Sequence, residues 1–403
     1  MNLKLDSLNK FILIGLSLFA YKAVLLVFAY VLNSQQYNAF NQAYYSASII
    51  ILFGSMGFNI AQTRIPVKPY FIFLFVAFNV IITSLLLQFL SKPFSSFTDY
   101  VPIIIYSIFI AAGTILNFRL LFEGNYKKYV LIVLLLTFSH LTVLPAAVYF
   151  NIFIFHLLAP AVVIWFFSVF KMLNRGTVSA LNIFEYYKIG FSAFVINSAV
   201  SLGLAADKFI ANHFFTIETA NSYTFAWGIT APVFYLGNLI EKYLFAEKNP
   251  VKSRLLTKGF LISIILISTY ITAILFAVNL FPQFLPGSIS AELFYEIFTF
   301  MIAGYSVYVL FHFPINAYLF KILDVKKQKT ISIYFSIIIS ASVITFYFIT
   351  NTDNIISYKM LLLAVWLYIF TLLAVKTVIM FKGKKTAAAD SNIIATESVQ
   401  EIP

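Results

Sequence analysis

Residues 11–32 read FILIGLSLFAYKAVLLVFAYVL, an apolar run with a single charge, Lys22. About 20 such residues, rising about 1.5 Å each as a helix, cross a hydrocarbon core about 30 Å thick. The run is longer than the apolar region of a signal peptide, about 7–15 residues. With Lys4 and Lys10 just before it, it reads as a retained first membrane span. The same length criterion, moved along the chain, predicts spans over 39–60, 70–91, 101–121, 129–150, 152–170, 189–210, 222–245, 259–281, 293–320, 331–350 and 360–381. Composition agrees. Hydrophobic residues make up 61% of the chain and charged residues 10%, against about 25% charged in soluble domains. The expected fold is an all-α polytopic membrane protein of about twelve transmembrane helices.

The positive charges test that count. With the N-terminus cytoplasmic, 23 of the 27 Lys and Arg fall in loops on the inner side. Three, Lys92, Lys208 and Lys359, fall on the outer side, and Lys22 lies within a span. Such asymmetry is the positive-inside pattern, so both termini are expected in the cytoplasm. The net charge of +12 invites a nucleic-acid reading, but the charge is spread through short loops and no soluble basic domain exists to hold it. No nucleic-acid partner is expected. The longest inner loop, near residues 176–188, separates an N-terminal six-helix lobe, 1–175, from a C-terminal lobe, 189–385. The polar stretch 386–403 is expected to be a disordered cytoplasmic tail.

Several chemistries lack their residues. The chain has no cysteine, which removes disulfides, thiolate metal sites and a Cys nucleophile. It has no P-loop sequence for ATP hydrolysis and no H-E-x-x-H, so no cofactor or metal site is expected. The four histidines are scattered, and a lone histidine in a bundle is more often a packing residue than a ligand. No large outer loop is present of the kind that membrane glycosyltransferases usually carry.

Charges and amides inside the bilayer need an account. Lys22 lies midway along the first span. It either lines a central cavity and draws in an anionic substrate, or it snorkels or pairs with a carboxylate. Asp207 and Lys208 end the seventh span. Adjacent helical residues point about 100° apart, so the two are not expected to face one partner. Asn197, Ser201 and Lys208 share a face, forming a stripe that lines a watery path or a seam between helices. In the second span Asn38, Asn41, Gln42 and Tyr45 cluster, with Ser48 a turn deeper, a set able to bond sugar hydroxyls. Asp207 and Glu241 are the candidates for ion coupling, although Glu241 beside Lys242 also suits an interfacial anchor. Glu292 and Glu296 near the outer face give a weaker coupling signal. Pro145, Pro160, Pro232 and Pro314 fall inside spans, where they bend helices. The polar-aromatic start of the second span, Tyr37–Tyr45, has a counterpart at Ala220–Trp227 about 183 residues on, as an internal repeat requires.

Two stretches carry a family resemblance: YNAFNQAYYSASIIILFGSMGFNIAQTR at 37–64 and AADKFIANHFFTIETANSYTFAWGI at 205–229. With twelve spans in two six-helix halves, the chain resembles the polysaccharide-exporting branch of the multidrug/oligosaccharidyl-lipid/polysaccharide (MOP) superfamily, the bacterial O-antigen and exopolysaccharide repeat-unit flippases. The resemblance implies two lobes related by a pseudo-two-fold and a home in the bacterial plasma membrane. It implies a polyprenyl-diphosphate-linked glycan as substrate, moved by alternating access, with membrane lipid, a polymerase and chain-length proteins of the same pathway as partners. It places Lys22, Arg64 and Lys208 as cations around a central cavity. The competing readings are a multidrug exporter of the same superfamily, for which Asp207 is the candidate acid, and an envelope-biosynthesis enzyme built on His140 or His156. A major-facilitator transporter fits less well, because AQTRIPVKP after the second span lacks that family's signature. The flippase reading predicts that Lys22→Ala lowers transport but leaves membrane insertion intact, measured by surface glycan and by membrane fractionation.

Overall fold

The second span breaks in the middle, and the break shows how the fold is held. In the computed structural model, helix α2 (Ser34–Ser55) ends where Met56 turns left-handed, with φ 42°, and Gly57 follows at φ 68°. Helix α3 (Phe58–Arg64) then starts in a new direction. Two successive left-handed residues cannot continue an α-helix, and glycine takes that conformation without cost. At its other end α2 starts with a capping box: Asn33 accepts from the Gln36 amide, and the Gln36 side chain accepts from the Asn33 amide. These bonds satisfy N–H groups that no helix turn can reach.

The structure describes residues 2–64, 67, 69–91, 97–122, 125–150, 157–166, 183–246, 252–280, 283, 285–322, 325–351 and 357–397. Before α2 runs α1 (Asn2–Val31). After α3 come α4 (Pro69–Ser91), α5 (Phe97–Phe122), α6 (Tyr126–Phe150) and α7 (Leu158–Ile164). The second half holds α8 (Ile183–Phe214), α9 (Ile217–Thr230), α10 (Pro232–Ala246), α11 (Lys252–Leu280), α12 (Ala291–Ile322), α13 (Val325–Asn351) and α14 (Tyr358–Glu397).

The two halves are built alike. In the first, α1 packs on α6, α2 on α4 and α5, and α7 on α5 and α6. In the second, α8 packs on α13, α9 on α12, α10 on α11, and α14 on α12 and α13. The cap of α2 at Asn33 corresponds to the cap of α9 at Thr216, 183 residues later. The second span of this half is broken too, but eight residues earlier than that offset predicts. There Ala231 is the C-cap of α9 and Pro232 starts α10, because proline has no N–H to continue the ladder. Between the halves, α2 and α3 lie against α8, and α1 lies against α9 and α10. The result is an all-α fold of two six-span lobes.

Among the described residues, seven helices are long and apolar enough to cross a membrane by length and composition: those at Leu13–Val31, Pro69–Phe89, Tyr100–Leu120, Tyr126–Ala146, Gly259–Leu280, Ala291–Asn316 and Tyr358–Ile379. Most of the other expected spans are those that carry breaks or polar residues, α2 with α3, α8, and α9 with α10. Large apolar side chains on the outer helices face away from the protein, Phe89 at 80% exposed and Phe276 at 66%. That surface requires lipid.

Three expectations change. Helix α8 begins at Ile183, inside the stretch taken as the central loop; residues 167–182 lie outside the described residues. The stretch 386–397, expected to be disordered, continues α14 as helix to Glu397, in keeping with the helix-favouring Ala387–Ala389. Lys376, counted as an inner-loop charge, is 1% exposed within α14 and donates to Asn316 Oδ1 at 2.9 Å. Pro145 and Pro314 sit inside unbroken helices and Pro160 near the start of α7, so of the four prolines only Pro232 breaks a helix.

The break at Gly57 is seated against α8. A Cβ added at Gly57 meets the Gly190 carbonyl oxygen at 2.2 Å, a backbone atom that cannot swing aside. Gly57→Ala is therefore expected to cost about 1–3 kcal/mol through steric conflict and left-handed strain. Thermal unfolding in detergent should show a lowered midpoint, whereas Gly287→Ala, whose added Cβ meets nothing within 4 Å, should leave it unchanged.

Candidate functional site

Where α1 and α2 of one lobe meet α8, α9 and α10 of the other, a cavity of about 240 Å³ remains. Helix α2 contributes Tyr37, Asn41, Tyr44, Tyr45 and Ser48, a set that recurs on one face at helical spacing. Facing them are Ser201 and Leu204 from α8, Thr224, Trp227 and Gly228 from α9, and Tyr235 from α10. Gly228 lets α9 approach α1 closely, since a Cβ there would stand 2.4 Å from Leu26 Cδ2. Among the described residues, the polar lining is hydroxyls, one amide and an indole, with no Asp, Glu, Lys or Arg. Asn41 is 3% exposed, and its Nδ2 has no hydrogen-bond partner among the described residues. A buried amide donor so placed has capacity left for a ligand oxygen.

Behind the Trp227 wall lies a buried ion pair. Asp207 and Lys208, both side chains fully buried, approach to 2.8 Å. Asp207 Oδ1 also accepts from the Lys208 backbone N–H at 2.7 Å. Its Oδ2 accepts from the hydroxyls of Tyr223 at 2.9 Å and Tyr305 at 3.2 Å, and from Lys208 Nζ at 3.0 Å. The ammonium also donates to the Leu204 carbonyl and sits 3.3 Å from the Trp227 ring centroid. An ion pair in a low-dielectric interior persists only when further hydrogen bonds satisfy both partners. Here they do. One turn further, Asn212 Nδ2 donates to the Lys208 carbonyl at 2.7 Å and to Thr224 Oγ1 at 2.9 Å.

Several hydrogen bonds join the lobes on the side of the cavity where α1 turns into α2. Gln42 Nε2 donates to the Asn212 carbonyl at 2.7 Å, Asn221 Nδ2 to the Ser34 carbonyl at 2.9 Å, and Ser288 Oγ to the Ala29 carbonyl at 3.0 Å. Each acceptor is main chain.

Of the residues singled out in the sequence, Asn41, Tyr45, Ser48 and Ser201 line the cavity. Gln42 does not; it is half-buried and spans the lobe seam. Asp207 and Lys208, not expected to face one partner, are instead each other's partner. Lys208 does lie on the Ser201 face of the helix, but Cβ atoms tilt toward the helix N-terminus. Its side chain runs back to the Leu204 carbonyl, and Trp227 stands against it. It is therefore neither a cavity wall nor an outer-loop charge. The side chains of Lys22, Arg64, Asn197 and Glu241 lie outside the described residues, as does His156. Glu296 is held by Lys359 and Tyr358 at the α12–α14 contact. His140 is buried against Tyr21 and Phe28. Trp227, Tyr223 and Thr224 were visible within the quoted 205–229 stretch but not singled out. Tyr305 had no signal, since it lies 98 residues from Asp207.

No protein-family model matches this sequence, and no curated protein matches it. Solved structures do. An outward-facing conformation of a multidrug resistance MATE family transporter of the MOP superfamily aligns over 94% of this chain and 96% of that one, with a TM-score of 0.54 at 15% identity. The inward-facing conformation of such a transporter aligns over 93% and 95%, at 0.55 and 15%. The chain shares the fold of these structures. A crystal structure of MATE in complex with MaD3S agrees, with a TM-score of 0.50 over 94% of each chain at 15% identity. In this fold the cavity sits at the junction of the two lobes, and the ion pair lies behind its second-lobe wall.

Breaking the pair should be costly. Lys208→Ala leaves a buried carboxylate without its counter-ion and is expected to lose about 3–5 kcal/mol. The double variant Asp207→Asn/Lys208→Met, which removes both charges, should lose less. A double-mutant cycle on unfolding free energies checks this, and additive losses would deny the coupling.

Proposed function

We propose that this protein is a flippase that carries a polyprenyl-diphosphate-linked oligosaccharide repeat unit across the bacterial plasma membrane by alternating access. Both termini are cytoplasmic in this reading, and the chain is a transporter rather than an enzyme. One observation carries the proposal: among the described residues, the inter-lobe cavity is walled by tyrosines, an amide, hydroxyls and an indole, with no formal charge in that lining. Sugars offer hydroxyls to such groups and apolar ring faces to aromatic ones. The cavity volume of about 240 Å³ lies below the roughly 300–1,000 Å³ of ordinary ligand pockets. An oligosaccharide therefore needs the lobes to part, and the hydrogen bonds to main-chain carbonyls at the seam are the contacts that would open. Lys22 and Arg64 are the proposed cations for the diphosphate; Lys208 is committed to Asp207.

The multidrug exporter of the same superfamily remains the second reading, because the matching structures are multidrug transporters. It is weakened at the residue it depends on. Asp207, its candidate acid, is already held by Lys208, Tyr223 and Tyr305.

Complementation tests the proposal. Expressed with its native sugar cluster in a bacterium deleted for its own repeat-unit flippase, the protein should restore surface polysaccharide and clear lipid-linked intermediates. Tyr44→Ala and Trp227→Ala, which remove opposite walls of the cavity, should each lower that restoration at unchanged membrane abundance. Correct insertion with no restoration would shift the assignment to the drug exporter.

A further inference from the structure

We infer that Lys208 is a specificity-determining residue, a built-in counter-ion that prevents the cavity from holding a cation. The surroundings are otherwise those of a cation site. Tyr37, Tyr44, Tyr45 and Tyr235 share the cavity lining with Trp227, and aromatic faces attract cations. A carboxylate, Asp207, stands one layer behind that wall, bonded to Tyr223 from α9 and Tyr305 from α12. Aromatic rings backed by one carboxylate form a receptor for a quaternary or lipophilic cation.

Lys208 occupies both halves of that receptor. Its ammonium lies 3.3 Å from the Trp227 ring centroid, so the indole's cation-binding capacity is already used. The same ammonium is 2.8 Å from Asp207 and neutralises it. A cation entering the cavity meets a wall with a positive charge seated behind it and no uncancelled negative charge to offset its lost hydration. Neutral and anionic ligands meet no such barrier. The selectivity thus depends on one side chain outside the cavity lining, separated from the ligand by Trp227.

This concerns charge selection alone, and a failed complementation would leave it standing. The test uses Trp227 as reporter. The chain has three tryptophans, so a Trp165→Phe/Trp366→Phe background in lipid nanodiscs leaves Trp227 as the sole indole. Tetraethylammonium is titrated at constant ionic strength. With Lys208 in place the fluorescence should not saturate. Lys208→Gln should bind tetraethylammonium at least about tenfold more tightly, and adding Asp207→Asn should abolish the gain. Binding with Lys208 present as tight as in Lys208→Gln would overturn the inference. So would no response in a Lys208→Gln protein that elutes as a single folded species. If Lys208→Gln does not fold, Asp207→Asn carries the test. With the carboxylate removed and the ammonium kept, tetraethylammonium should still give no saturable fluorescence change, and saturable binding there would equally overturn the inference.

Discussion

Hydrocarbon offers no hydrogen bonds, and the rest of this structure follows from that. Each backbone N–H and C=O within the bilayer must be satisfied inside the protein. Helices achieve this alone, so a helix can be interrupted only where protein covers the gap. Both interruptions described above obey the rule. The turn at Met56–Gly57 is pressed onto α8 at Gly190. The break at Ala231–Pro232 borders the inter-lobe cavity, where Ala231 itself is lining. The first break therefore leans on the other lobe, whereas beside the second Tyr270 of the same lobe donates to the Ile229 carbonyl. The lobes are not independent bundles that happen to touch.

The same poverty of solvent explains the ion pair. A lone lysine or aspartate at this depth is too costly to keep charged. As a pair they cancel, and the tyrosine hydroxyls and the Leu204 carbonyl take up the remaining bonding capacity. The arrangement belongs to one lobe and lies one layer behind the cavity. Asn212 then ties it to Thr224 on the cavity wall and, through its carbonyl, to Gln42 on the opposite lobe. A change at Thr224 on the wall is thus two hydrogen bonds away from Gln42 across the seam.

Span number, span order and the two-lobe division were legible because they rest on length and hydropathy, which bilayer thickness fixes. The offset of the repeat was legible too, and the matching caps at Asn33 and Thr216 show why: the units begin alike even though they break at different depths. Pairings were not legible. Helical spacing put Ser201 and Lys208 on one face but gave no account of Trp227, which separates the lysine from the cavity. Nor could it bring Tyr305 to Asp207 from another helix. Lys376 read as a loop charge because its span borders a basic stretch, and only the packing of α12 against α14 delivers it to Asn316. Spacing fixes which way a side chain points; the neighbour it meets is set by the tertiary fold.

The seam between the lobes is asymmetric in its chemistry. Asn221, Ser288 and Gln42 each reach across with a side chain, and each is received by a main-chain carbonyl, at Ser34, Ala29 and Asn212. A carbonyl is present whichever amino acid carries it. Position 34, which is half-buried, can therefore drift through sequence space without loosening its contact, while its donor Asn221 cannot; Ala29 is fixed by its own burial instead. Relatives should show this as paired columns, one frozen and one variable, on opposite sides of a single contact.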